Sequence, residues 1–346
     1  MTLLQRVSEY LVEQVKPFAQ TIDHDPTALR KALKGLCELE AMSLKRPTEF
    51  GGPATSEGDF RSFQEQVARS SGTLAFLQTQ HQSAVSMLSK SDNSPLKQAY
   101  LPFMHNGEKL LGIGFSQLRR PGKPVLQAVR DGAGYVLEGT VPWMTGLGFF
   151  PEFIVGAALE DGSSLFGIIP TEAVGVVPSA PMKLAAMEAA QTVSISIDGF
   201  LLTDNQVVFV KPIGWIQNND QINITLQGHF AIGCALAGID IVRQASSAKA
   251  LPFLGSSADQ LETEVCECRE AMIAKSTDSL SNLAIRAWAI ELAVRCAHAA
   301  VTASSGLANS SSHPAQRVFR EALVFTVSAQ TAPIMESTMA RLVQRR

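Results

Sequence analysis

The feature that most constrains this 346-residue chain is a double change in the period of its apolar residues. Near the start, Leu3, Leu4, Val7, Tyr10, Leu11 and Val15 recur at the spacing of one helix face. Asp25-Pro26 predicts a second helix, with Asp25 as N-cap and Pro26 at the first helical position. That helix would bury Leu29, Ala32, Leu33, Leu36 and Leu39. A break follows over Arg46-Pro47-Thr48-Glu49-Phe50-Gly51-Gly52-Pro53. Further helices are predicted over about 57–69, 73–88 and around 95–104.

From about 109 to 212 the period falls to two. Runs such as Phe153-Ile154-Val155-Gly156-Ala157-Ala158 and Thr192-Val193-Ser194-Ile195-Ser196-Ile197 are separated by turn signals such as Arg130-Asp131-Gly132 and Glu160-Asp161-Gly162. Short strands at this spacing predict an antiparallel barrel or sandwich. The helical period then returns, with segments over about 220–250, 257–278, 281–304 and 314–345. Gly233, Ala235, Ala237 and Gly238 predict a close helix approach, and four long helices with short connections predict a bundle. The expected organisation is an N-terminal helical domain over 1–108, a middle β domain over 109–212 and a C-terminal four-helix bundle over 213–346.

Composition narrows the function classes. With 46% hydrophobic and 18% charged residues, the chain is a well-buried globular protein. A net charge of −3 offers no electrostatic footprint for nucleic acid and no polybasic patch for a membrane. No run approaches the roughly 18 apolar residues of a membrane span. The opening residues are amphipathic and do not read as a signal peptide. Cys37, Cys234, Cys266, Cys268 and Cys296 make an odd count, which predicts reduced thiols in a cytoplasmic compartment. Cys266 and Cys268 point roughly 200° apart on a helix, a poor metal pair, so no metal site is expected.

Several strings carry a resemblance. Pro47-Thr48-Glu49-Phe50-Gly51-Gly52, then Glu65-Gln66-Val67-Ala68-Arg69, then His81 and Lys97-Gln98-Ala99-Tyr100-Leu101-Pro102 are similar to the N-terminal half of the acyl-CoA dehydrogenase family of flavoproteins. The order of the three parts resembles that family through almost the whole chain. The resemblance implies FAD, an acyl-CoA or other acyl-thioester substrate, oxidation of a CH–CH bond, and a homodimer or homotetramer.

It also implies site residues. Ser116 and Gln117 fall where the family meets the flavin, with Gln117 in place of a glutamate. The serine-bearing turn that follows in the family is replaced by Leu118-Arg119-Arg120-Pro121, where Arg119 or Arg120 could supply charge or stay solvated. Val141-Pro142-Trp143-Met144-Thr145 matches the string in which Trp covers the flavin ring and Thr reaches its reactive edge. The plain alternative is a Trp plugging the end of a barrel. Lys249 takes the place of an arginine that in the family reaches FAD phosphates, usually across a subunit boundary, and Gly306 is the one glycine left of the turn for the adenosine end. Arg317 and Arg320 read as structural.

One position breaks with the family. Dehydrogenation needs a base for the α-proton while a hydride leaves the β-carbon. Aligning from Arg320 puts the usual catalytic glutamate at Ala329, and a minority position on the first bundle helix at Asn223. Neither side chain accepts a proton. The remaining candidates are His229, Asp220 and Glu336. Three readings follow: a dehydrogenase with its base elsewhere, a flavin-dependent monooxygenase or oxidase of the same fold, or a degenerate binding or scaffold protein.

Overall fold

The computed structural model describes residues 1–274 and 278–343. The N-terminal helices are α1 (Leu3–Tyr10), α2 (Ala19–His24), α3 (Pro26–Glu38), α4 (Glu57–Ser70), α5 (Gly72–Ser89) and α6 (Ser94–Tyr100). Their starts follow from local chemistry. Asp25 accepts from Thr27 N at 2.7 Å with Pro26 in the first turn, and Ser56 caps α4 through Asp59 N.

Eight strands follow: β1 (Leu111–Gly114), β2 (Leu126–Asp131), β3 (Gly134–Thr145), β4 (Glu152–Ala158), β5 (Ser164–Pro170), β6 (Val176–Pro178), β7 (Thr192–Thr203) and β8 (Val207–Lys211). They form one sheet in the order β6-β7-β3-β2-β4-β5-β8, with β1 added on β4. Most pairs are antiparallel, as the alternating pattern predicts. β1 and β2 instead meet β4 in parallel, so the sheet is mixed, and β6 and β8 remain as edges of an open sheet. The chain leaves the N-terminal helices along β1 and reaches the paired β2–β3 hairpin only after a loop, which sets the parallel direction.

The C-terminal helices are α7 (Trp215–Ile222), α8 (Gly228–Lys249), α9 (Pro252–Ala274), α10 (Ser279–Ser304), α11 (Pro314–Val327) and α12 (Ala332–Val343). Two expected helices are each broken. The segment expected over 220–250 stops at Ile222 and restarts at Gly228. The segment expected over 314–345 stops at Val327 and restarts at Ala332, and its residues past 343 lie outside the described ones. Pro333 explains the second break, because it has no N–H to give to a preceding turn and its ring would strike the carbonyl of Ala329.

The close helix approach is real. A Cβ on Gly233 would lie 2.4 Å from Glu65 O of α4, and one on Gly238 would lie 2.6 Å from Cys296 O of α10. One apolar core runs from the N-terminal helices through the sheet to the bundle. Buried Asp23 of α2 joins the three parts. It accepts from Thr73 Oγ1 at 3.0 Å and from Met187 N at 2.8 Å, and pairs with Arg320 of α11 at 2.7 Å. The cysteines are free, with Cys266 half-buried and the rest buried. Among the described residues no helix is long and apolar enough to cross a membrane, and no group of His, Cys, Asp and Glu could hold a metal ion.

Candidate functional site

The candidate residues fall into separate groups. The first lies where β1 ends. Beyond Gly114 the chain enters a short turn, Ser116–Arg119, packed on β3. The Oγ of Ser116 is buried and has no hydrogen-bond partner. Gln117 is buried, and its Nε2 donates to Gly156 O at 2.8 Å and Gly114 O at 3.3 Å, while its Oε1 is left without a donor. Arg119 is held by Asp220 of α7 through two 2.7 Å bonds, so neither is available for other work. Arg120 is exposed.

Thr145 ends β3, buried, with its Oγ1 3.0 Å from Thr192 Oγ1. Trp143 sits within a register irregularity between β3 and β7, spanning Val141 to Met144. Such an irregularity re-aims side chains. Trp143 is 46% exposed, so it is not a plug in the sheet. Exposed indole, orphaned hydroxyl and orphaned amide oxygen thus lie on neighbouring elements, a combination that fits a flat ligand with its own donors and acceptors.

The second group surrounds the helix breaks. Ala329 lies in the α11–α12 elbow, exposed, with φ of 51°. The side chain that matches the usual base is therefore a methyl group at a strained turn. Asn223, just past α7, is half-buried and its Nδ2 bonds Asn219 O at 2.8 Å and Asn219 Oδ1 at 3.1 Å. Glu336 is exposed on α12. Behind the elbow stands Arg286 of α10, 1% exposed, which the sequence reading passed over. Its Nη2 donates to Phe325 O at 3.5 Å and Ser328 O at 3.3 Å, while Nε and Nη1 have no partner. Burial alone pulls this guanidinium down to about 10. A lone arginine inside an apolar helical run was the signal for it.

The third group is His229. Its imidazole is fully buried, and Nδ1 donates to Glu65 Oε1 at 2.6 Å. Arg269 of α9 holds the other oxygen of Glu65 at 2.8 Å. His229 Nε2 is buried without a partner. This trio ties α4, α8 and α9 together.

The fourth group is Lys249 and Gly306. Lys249 Nζ donates to Ala303 O at 2.6 Å and Ser305 Oγ at 3.0 Å, which caps the end of α10. Gly306 is exposed beside it, with open space where a Cβ would be. Arg317 pairs with Glu321 on its own helix at 2.6 Å rather than across helices. Arg320 does cross, to Asp23 and to Ala185 O.

Comparison with known proteins agrees with this architecture. Residues 1–108 match the family model described as acyl-CoA dehydrogenase, N-terminal domain. Isovaleryl-CoA dehydrogenase of Pongo abelii is 28% identical over 41% of this chain and 35% of its own length. The probable acyl-CoA dehydrogenase YngJ of Bacillus subtilis is 21% identical over 97% of this chain and 96% of its own. Among solved structures, glutaryl-coenzyme A dehydrogenase in its glutaryl-CoA complex superposes with a TM-score of 0.83 at 19% identity, covering 99% of this chain and 95% of that one. KijD3 in complex with FMN and an amino-keto-deoxysugar nucleotide superposes with 0.78 at 17% identity, covering 99% and 94%. In its N-terminal domain by sequence, and through the whole chain by fold, this chain is similar to the acyl-CoA dehydrogenases.

Proposed function

We propose that the protein is a flavin-dependent oxidoreductase that acts on an acyl-CoA or another acyl thioester without the usual carboxylate base. One observation supports this reading: the half-exposed Trp143, the unpartnered buried hydroxyl of Ser116 and the buried Thr145 lie on adjoining elements, while the position matched to the usual base holds Ala329. The resemblance implies FAD, and the relatives named above include dehydrogenases of isovaleryl- and glutaryl-CoA. A bound flavin would supply the two-electron acceptor. Trp143 would cover the ring with its exposed face, and the Ser116 hydroxyl would exchange its missing partner for a polar group of the cofactor. Thr145, placed by Thr192, would lie at the ring's edge.

Of the other candidates, Glu336 is exposed on α12 and the rest are already committed. Asn223 is bonded to Asn219, Asp220 is neutralised by Arg119, and His229 is sealed behind Glu65. Wild-type protein should therefore dehydrogenate simple acyl-CoAs very slowly, since a positioned base contributes roughly 10²–10⁴-fold. A second reading, flavin-dependent oxidation with oxygen as acceptor, is favoured by the KijD3 complex, whose bound sugar nucleotide is not a thioester.

The test has two stages. Flavin absorbance of the purified protein separates both readings from a scaffold role. Reduction of that flavin by a panel of acyl-CoAs without oxygen is then followed in wild type and Ala329→Glu. Because position 329 is exposed, a glutamate there keeps its charge at neutral pH, and the rate should rise about tenfold or more. Fast turnover by wild type would overturn the claim. No gain in a flavin-loaded Ala329→Glu sample would favour the oxygen-using reading.

A further inference from the structure

We infer that the flavin this chain accepts is FMN rather than FAD, because the end of the fold that would take the adenosine diphosphate half is closed by the chain itself. The inference rests on the flavin reading above. The ring end keeps orphaned polar atoms, Ser116 Oγ and Gln117 Oε1, that a ligand would satisfy. The other end shows no such vacancy.

The cation matched there, Lys249, is already spent. Its ammonium meets Ala303 O at 2.6 Å and Ser305 Oγ at 3.0 Å within the same chain. Those acceptors lie at the C-terminus of α10, the negative end of a helix of 26 residues, where a lysine is held by the helix dipole as well as by its hydrogen bonds. A diphosphate brought to this point would meet the same negative end and would first have to draw the lysine away. The loop beyond it, Ser305 to His313, carries no lysine or arginine.

The backbone also resists. Close approach to a phosphate is a glycine's role, since a side chain keeps the ligand off the main chain. Here Ser305 takes φ of 55° and ψ of −145°, a conformation suited to glycine, and its hydroxyl turns back onto Lys249 instead of outward. Gly306 alone is left, exposed and with nothing within 4 Å of a Cβ. Arg119, the other cation that could have met a diphosphate, is fixed on Asp220 by two bonds. A mononucleotide lacks the second phosphate and the adenosine that Lys249 and the Gly306 turn would have to hold.

The experiment uses the full-length protein. Flavin released on heat denaturation is identified by chromatography, and the protein stripped of flavin is titrated with FMN and with FAD by fluorescence quenching. The expected result is FMN in the released fraction and FAD binding no more tightly than FMN. Lys249→Ala should lower the thermal midpoint, because it uncaps α10, without lowering the affinity for FAD relative to FMN. FAD binding at least tenfold more tightly than FMN, with that advantage lost in Lys249→Ala, would overturn the inference while leaving the flavin reading intact. Binding of neither flavin would overturn both.

Discussion

At the scale of the residue, Trp143 and Ser116 stand out because each leaves something unmet. A buried hydroxyl without a partner is costly unless a ligand completes it, and an indole that is 46% exposed offers that ligand a flat face. Trp143→Ala and Thr145→Ala should each lower flavin occupancy, read as the ratio of flavin to protein absorbance after purification. Unchanged occupancy in both variants would assign these side chains to the fold alone. The Arg120 side chain and the Ser116 hydroxyl belong to one turn, yet Arg119 between Gln117 and Arg120 serves α7, so neighbours in sequence have different tasks.

At the scale of the element, the elbow between α11 and α12 is the decisive piece. Pro333 ends any continuous helix, Thr331 Oγ1 faces the N–H of Ile334 at 3.5 Å, and Arg286 grips Phe325 O and Ser328 O from behind. Ala329 pays for this with a left-handed backbone, which costs a residue bearing a Cβ roughly 1–2 kcal/mol. Glycine removes that strain and gives back part of the gain as unfolded-state entropy. Ala329→Gly should thus stabilise the protein by about 0.5–1 kcal/mol, seen as a higher urea midpoint with an unchanged slope. A lower midpoint would show that the methyl group packs against something.

At the scale of the whole molecule, His81 joins the N-terminal helices to the sheet. Its Nε2 donates to Met104 O at 2.9 Å, and Nδ1 accepts from Leu111 N at 2.9 Å at the start of β1. Full burial pushes its pKa from 6.5 down to about 4, so the folded protein holds it neutral. The unfolded chain takes up a proton near 6.5 and the folded one only near 4. This contribution to stability is fully present above about 6.5 and is lost as pH falls between those values, by about 2 kcal/mol at pH 5. Urea midpoints from pH 7.5 to 5 should fall for wild type and be flatter for His81→Gln. Equal slopes would remove His81 from this role. The surface carries a second message. Phe319, Leu323 and Val327 of α11, with Met335 and Met339 of α12, are exposed apolar side chains. We expect a homodimer or tetramer to cover them, and light scattering that found only monomer at micromolar concentration would sink that expectation.

The order of helices, sheet and helices was legible because burial imposes periods of 3.6 and 2 on any chain that folds this way. Gly233 and Gly238 were legible for the same reason, since only a missing Cβ admits Glu65 O and Cys296 O so closely. The strand β1 was less so: four residues with two glycines, Leu111-Gly112-Ile113-Gly114, carry little alternation, and its parallel partner β4 lies some forty residues away. The breaks at Asn223 and Ala329 were hidden because apolar periodicity continues across them. What only the tertiary structure decided is which charges are free. Sequence places Lys249, Arg119 and His229 near a site, but their partners Ala303, Asp220 and Glu65 are distant in the chain, and a hydrogen bond between distant residues leaves no period to read.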